Sequence, residues 1–433
     1  MRRTGRRRRQ RAPSLESADI IGEILLKLPT RDVIRCRRVS RLWRDVIADP
    51  TFRRLHAEAE VTGHLPVTSE ALLVMETCED CKPDEASFFC VSSSKFTPMP
   101  RRVVIPSGYS ISSVCNGLLC FALDSAPEVP AFLCNPLTGE TTILPKVSST
   151  WLSDDPTEYK LFRFSTLPSK SYDMMNWIQH MVCTIGTCSG WRQGWYSSSF
   201  PLLRTSPPVL IDDKLYLLAY GRRSPTEKLG AILMVDVATE EHHIHPLPVK
   251  NNEGYRHYDP QVIAFEMSGR LCLAANVLRP SQKLQFWVMS PPSQVQWLQP
   301  QDLWAEFDDS KLCWDLHYSF HIHEQQWGRT PTGAWFDDVE KTLCYRSGDA
   351  LFMNDTRGRS PEPSLDADCP PCDRRLELPP MPLGLNCKWN VFGGYRPSLL
   401  SPLTFASPQS PSCAEAERQQ FEHKLSLTLC GHE

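Results

Sequence analysis

Across Ser17–Ala59 apolar side chains recur at helical spacing. Ile20, Ile21, Ile24, Leu25 and Leu28 fall on one stripe of period 3.6, with Asp19, Glu23 and Lys27 on the opposite face. Ser17 stands where a cap would start this helix. Pro29 ends it, because proline cannot continue the helix and pushes Leu28 toward extended geometry. Thr30 offers the next cap, for a short helix from Arg31 to about Cys36. Ser40 to Ile47 predicts a third helix, with Leu42, Trp43, Val46 and Ile47 clustered, and Asp49-Pro50 starts a fourth that carries Phe52 and Leu55. So short a set of helices buries only a thin core by itself, and the block is expected to complete its core against a partner.

After Glu60 the helical period gives way to short apolar runs punctuated by Gly and Pro, which predict strands. Leu72–Met75, Ser87–Val91 and Val103–Ile105 come first. In SVCNGLLCF (113–121), Asn116-Gly117 supplies the two positive-φ residues of a tight type I′ turn, and FLCNPLTGETTIL (132–144) adds a second hairpin. The same unit returns in weaker form at Val209–Tyr220 with Ile232–Leu247, at Val262–Ala274 with Leu284–Leu298, and at Trp335–Tyr345 with Ala350–Asp355. Lys160–Phe164 and His180–Trp191 read as another pair. Sheets that repeat in this way, each incomplete alone, are the pattern of propeller blades. The expected fold is therefore an α+β multidomain chain, a small helical block at 12–60 followed by an all-β propeller-like domain of roughly six to eight blades at 61–405. Within it Ser360–Pro382, rich in Pro, Asp and Cys, reads as a long excursion. A tail at 406–433 carries Phe421, Leu425 and Leu429 on one narrow helical stripe.

Charge changes the picture at one end. The net charge of −3 includes seven arginines and no acid in residues 1–11, a stretch with no apolar face and hence expected to be disordered, as a nuclear-localisation or nucleic-acid-contacting arm or as a plain solvated tail. The 17 cysteines show no disulfide-framework spacing, which points to thiols in a reducing compartment, nucleus and/or cytoplasm. No apolar run reaches the ~20 residues of a bilayer span, so a soluble chain without membrane partners is expected.

The helical block resembles an F-box, the motif that docks a substrate receptor onto the Skp adaptor of an SCF-type cullin ubiquitin ligase. Ile-Leu-x-x-Leu-Pro at 24–29, the Val-Ile-Arg-Cys, Val-Ser and Trp-Arg order within Val33–Arg44, and Asp-Pro-x-Phe at 49–52 carry the likeness. The resemblance implies adaptor binding through Ile20, Ile24, Leu25, Leu28, Pro29, Val33, Val39 and Trp43, with residues 12–60 sufficient for it. The second region resembles the plant F-box-associated (FBA) interaction domain, kelch-like in character. NGLLCF, CNPLTGE, IDDKLYLLAY, ILMVDVATEEHHIHPLP, SGRLCLA with LQFWVM, and GYRPSLLSP near the end carry that likeness. Together they imply a non-catalytic substrate-recognition subunit, bound to a cullin through the adaptor and holding an unidentified target protein.

The chemistry-bearing motifs agree with a receptor. There is no nucleophile elbow, no phosphate-binding Gly-rich loop and no His-Glu-x-x-His, and no cofactor is expected. Cys78/Cys81 and Cys369/Cys372 would make a zinc site only by converging from far apart or by recruiting His242, His243 or His245. Those pairs are read as loop thiols, and His317, His321 and His323 as half-exposed strand histidines, so no metal is assigned. Asn354-Asp355-Thr356 matches a glycosylation sequon by pattern alone. Two other readings stay open, a nuclear nucleic-acid-binding or scaffold protein using the arginine arm, and a propeller enzyme or lectin.

Two adjacent positions depart from the family: its members open with Leu-Pro where this chain has Glu16-Ser17. Replacing both, Glu16→Leu with Ser17→Pro, restores an aliphatic group to the adaptor contact and is expected to tighten binding by about 1–2 kcal/mol. Titration calorimetry of both forms against one adaptor measures it, and equal affinities would show either that this site is no contact here or that a cap at Ser17, worth about 1 kcal/mol, matters as much as the missing leucine.

Overall fold

The computed structural model describes residues 17–61, 70–76, 88–92, 95–98, 109–123, 131–144, 160–167, 176–184, 192–198, 206–222, 228–248, 262–277, 283–291, 313–321, 331–348, 350–357, 374–379 and 388–405, with 202, 295 and 297. The arginine-rich start, Glu16, Val103–Ile105, both Cys-x-x-Cys pairs and the tail at 406–433 lie outside these residues. The chain divides into two compact units, one of residues 1–67 with 397–401 and one of 68–396 with 402–433.

The first unit contains α1 (Ala18–Leu25), α2 (Thr30–Cys36), α3 (Arg41–Ala48) and α4 (Pro50–Val61). The boundaries follow the sequence signals, but the caps differ in kind. Ser40 accepts from the Trp43 N–H at 3.3 Å, and Asp49 Oδ1 accepts from the Phe52 N–H at 3.0 Å, both ordinary side-chain caps. Ser17 occupies the cap position of α1 without a side-chain bond, and Pro29 rather than Thr30 is the residue before α2. The Thr30 hydroxyl instead donates across the chain to the Pro397 carbonyl at 3.1 Å.

The second unit is all β. Its strands are β1 (Glu70–Glu76), β2 (Phe88–Ser92), β3 (Lys95–Pro98), β4 (Tyr109–Cys115), β5 (Leu118–Leu123), β6 (Phe132–Asn135), β7 (Glu140–Ile143), β8 (Lys160–Leu167), β9 (Asn176–Thr184), β10 (Arg192–Ser198), β11 (Val209–Ile211), β12 (Lys214–Arg222), β13 (Lys228–Asp236), β14 (His242–Pro246), β15 (Val262–Met267), β16 (Arg270–Val277), β17 (Lys283–Met289), β18 (Trp314–His321), β19 (Gly333–Asp337), β20 (Thr342–Ser347), β21 (Ala350–Asp355), β22 (Arg374–Glu377) and β23 (Lys388–Tyr395). They form five four-stranded antiparallel sheets, β4–β7, β11–β14, β15–β18, β19–β22 and β23-β1-β2-β3, and one three-stranded sheet, β8–β10. Among the described residues this is a propeller of five four-stranded blades with a further three-stranded sheet, roughly consistent with the expected count. The first strands β11, β15, β19, β23 and β4 touch one another in that order. Strand β22 lies inside the stretch read as an excursion at 360–382: its pattern is mostly polar because it is an exposed edge strand.

Two turn types repeat. Asn116-Gly117, Asp212-Asp213 and Ser268-Gly269 each place two positive-φ residues between the first and second strands of a blade, at φ 47 and 76, 46 and 57, and 49 and 74. Asn and Asp tolerate that region better than other side chains, which is why Asp-Asp can stand in for Asn-Gly. The second type begins with Asn135, Asp236 or Asp337, whose Oδ1 accepts from the N–H groups two and three residues on at 2.9–3.2 Å. It ends at a positive-φ residue, Gly139, Glu240 or Lys341.

Burial between neighbouring blades holds the ring. Phe265, Phe286 and Phe320 pack against Phe336, Tyr345 and Phe352, and Trp335 and Met353 pack against Leu73, Trp389 and Val391. Closure comes from β23, which pairs antiparallel with β1 from Glu70↔Tyr395 to Glu76↔Lys388, so the end of the domain completes its first blade. Backbone comes close where β19 meets β23. A Cβ at Gly393 would lie 2.5 Å from the Ala334 carbonyl oxygen and 2.7 Å from Trp335 Cβ, and one at Gly333 would lie 2.5 Å from the Val391 carbonyl oxygen. Overpacking of a rigid core costs about 1–3 kcal/mol, so Gly393→Ala is expected to lower the thermal midpoint of the propeller by several degrees, measured by calorimetry.

Candidate functional site

The helical unit divides its apolar residues between a core and a surface. Ile21, Leu25, Val33, Ile47 and Phe52 are buried together, with Leu28, Ile34, Leu42, Trp43 and Val46 packed on them. Ile24 and Pro29 are exposed, Val39 is 62 % exposed, and Ile20, Leu28 and Trp43 are half-buried. The stripe on α1 is thus split: Ile21 and Leu25 face inward, while Ile20 and Ile24, on the flank, remain open. Of the eight residues assigned to the adaptor, six reach the surface wholly or in part. Leu25 and Val33 are both 0 % exposed, and they act on a docking surface only by holding the helices that present it. Arg35, Arg38, Arg41 and Arg44, within five residues of Val39 in sequence, are also exposed, with Arg35 Nη1 bound to Asp32 at 2.8 Å.

Three features of this unit escaped the sequence reading. His56 is fully buried beside Phe52, ring centroids 5.9 Å apart, and its Nε2–H donates to the Leu28 carbonyl at 2.9 Å. Burial lowers its pKa from the usual imidazole value, with the Leu28 carbonyl opposing, so the neutral ring is favoured where the chain turns at Leu28-Pro29. Leu399, 1 % exposed, is part of the same core although the sequence reading placed it in the propeller. Arg53 Nε donates to the Leu399 carbonyl at 2.8 Å. The sequence signal for Leu399 was the run GYRPSLLSP, which marks a family without saying what the leucine packs on.

In the propeller, the histidines serve burial. His245, 2 % exposed, lies between Trp297 and Trp314, and His317 is half-buried. His323 and the side chain of His321 are outside the described residues. Among the described residues no group of three His, Cys, Asp or Glu could hold a metal ion. Asn354 is fully buried in β21, which closes the sequon to a glycan in the folded chain.

The densest polar cluster joins β8–β10 to the β11–β14 blade. Lys160 Nζ donates to Glu240 at 2.9 Å and to the Val237 and Ala238 carbonyls at 2.9 and 3.1 Å, and Arg192 also binds Glu240. Burial pulls the Glu240 pKa up, but its bonds to Lys160 and Arg192 outweigh that and leave it lowered. His180 and His242 pack with ring centroids 4.6 Å apart. His242 is held down to about 4, chiefly by burial and then by the charges of His180 and His243, with Glu240 opposing.

A family model, the F-box-associated beta propeller domain, matches residues 68–315, and the F-box domain matches residues 17–55. The chain belongs to the F-box-associated β-propeller family. Relatives in Arabidopsis thaliana agree. F-box protein At5g65850 is 28% identical over 296 residues, covering 64% of this chain and 68% of the relative, and F-box protein DOR is 23% identical over 301 residues, covering 65% and 72%. This is a plant F-box protein whose F-box and propeller domains are those of an adaptor-type receptor, with a general role in substrate recognition by SCF ligases.

The His180–His242 pair gives the propeller an acid sensitivity of definite sign. A histidine whose folded pKa is depressed contributes stability that is present above the unfolded value of 6.5 and lost as pH falls toward about 4. Unfolding free energy is expected to fall by about 1 kcal/mol between pH 7 and pH 5.5 from His242 alone. Denaturant titrations at the two pH values should find that loss reduced in His242→Gln.

Proposed function

We propose that this F-box protein docks a Skp adaptor through the exposed row Ile24, Pro29 and Val39 with the half-buried Ile20, Leu28 and Trp43, and that its propeller holds a target protein for a cullin-bound ligase. The observation that carries this reading is the split of apolar residues in the helical unit. Burial of Ile21, Leu25 and Val33 fixes the helices, while Ile24 and Val39 stay in water on a match to the F-box domain. The exposed Arg38, Arg41 and Arg44 of the same unit favour an acidic adaptor surface and quick, salt-sensitive association. The propeller supplies a rigid frame whose connecting loops carry target specificity.

The test uses Ile24→Asp and Val39→Asp in the full chain. Both positions are exposed, so folding stability should change by no more than about 0.5 kcal/mol. Adaptor affinity should fall about tenfold or more for each, the scale of losing one partly buried aliphatic contact and desolvating a charge. Leu28→Ala with Pro29→Ala should weaken binding by about 2–4 kcal/mol, with circular dichroism confirming that the helices persist. Unchanged affinity in both aspartate variants would exclude this surface.

A further inference from the structure

The F-box match ends at residue 55, yet the core of this unit contains a residue from the far end of the chain. Ser398, Leu399, Leu400 and Ser401 are all buried, at 5, 1, 5 and 8 % exposure. Leu399 lies among Ile21, Leu25, Val33, Ile47 and Phe52. The carbonyls on either side of Ser398 are both bound by side chains of the helices, that of Pro397 by the buried Thr30 hydroxyl and that of Leu399 by the Arg53 guanidinium. The Leu400 N–H binds the Ser398 hydroxyl at 3.1 Å, so the segment has its own turn. An irregular segment with its leucine in the core and its backbone held at two points is a built part of the unit.

We propose, resting on the adaptor reading above, that residues 397–401 are an obligatory fifth element of the F-box unit and that Leu399 is a positioning residue for adaptor binding. Leu399 fills the space behind Leu25 and Val33, and without it α1 and α2 do not hold Ile24, Leu28 and Pro29 in one row. The segment follows β23 directly, and β23 is the strand that closes the propeller onto β1. The adaptor-docking unit is therefore completed only by residues made after the last propeller strand. A truncated or still-growing receptor carries all four F-box helices but cannot load onto the ligase, which restricts loading to chains able to hold a target.

Leu399→Ala, Leu399→Asp and Leu399→Met in the full chain test this by hydrogen exchange and by adaptor titration. Leu399→Ala should speed amide exchange in α1–α4 by about tenfold or more, the consequence of a core cavity, and leave β15–β21 unchanged. Its adaptor affinity should drop by a similar factor, and Leu399→Met, which conserves volume, should restore both. Replacing residues 397–401 in the full chain by a Gly/Ser segment of equal length keeps every described propeller strand and residues 402–433, and should abolish adaptor binding. Exchange in α1–α4 that is unaffected in both the alanine and aspartate variants would overturn the proposal, as would undiminished adaptor binding by the chain with residues 397–401 replaced. Because exchange is read without adaptor, failure of the wild-type chain to bind any adaptor would refute the functional reading and leave this structural result standing.

Discussion

Neither compact unit of this chain can close from contiguous sequence, and one stretch of fourteen residues closes both. Residues 388–395 pair with β1 and complete the first blade of the propeller, while residues 397–401 enter the helical core. The need is physical in each case. A blade without its neighbour strand shows an unpaired edge and an unburied face. Four short helices totalling fewer than about 50 residues do not bury enough apolar surface to be stable alone. The constraint also explains why the sheet order runs β23-β1-β2-β3 whereas the other four-stranded sheets are consecutive in sequence.

Local physics was legible in the sequence, and long-range pairing was not. The cap at Asp49 and the tight turn at Asn116-Gly117 each depend on a few adjacent residues, and each was readable, whereas α1 stops at Leu25, before the stop expected at Leu28-Pro29, in turns where the Lys27 and Leu28 N–H groups bond to the Ile24 and Leu25 carbonyls. The turns at Asp236 and Asp337 repeat the geometry of Asn135-Pro-Leu-Thr-Gly139. They end in Glu240 and Lys341 where glycine would be the recognisable residue, so the repeat is better conserved in backbone than in side chains. Strand β22 was missed because an exposed edge has no apolar alternation to read. At the candidate site, period 3.6 identified the stripe on α1 but could not divide it. Whether Ile24 or Leu25 faces inward depends on where α3 and residue 399 pack, and Leu399 is hundreds of residues away in sequence.

Polar chemistry follows the same division of labour. Glu240 binds Lys160 and Arg192 across the joint between the three-stranded sheet and the next blade, while Phe162 and Phe164 pack on Leu217, Leu233 and Val235 beside it. A carboxylate shared by two cations is stabilising only where burial is partial and every bond is made, and here Lys160 also satisfies two backbone carbonyls. Glu240 is in addition the positive-φ residue of its turn. The side chain that makes the strained backbone position costly also ties the smaller sheet to the blade, an exchange of local strain for a tertiary contact.

Chain topology makes the late completion of the helical core less costly than its sequence separation implies. Bringing Leu399 to Arg53, 346 residues apart, would require a closure entropy of about 5 kcal/mol if the intervening chain were unfolded, by the logarithmic dependence on loop length. The propeller removes most of that cost. Its closing register places Tyr395 opposite Glu70, so once β23 has paired, the end of α4 at Val61 and the start of the 397–401 segment each lie within nine residues in sequence of that pair. The effective loop is then about ten residues, with a closure entropy of about 2 kcal/mol. The difference, roughly 3 kcal/mol, is comparable to the stabilisation from burying one leucine side chain. Ring closure therefore lowers the entropic cost of bringing Leu399 to the helices, and burial of one leucine side chain is large enough to offset what remains.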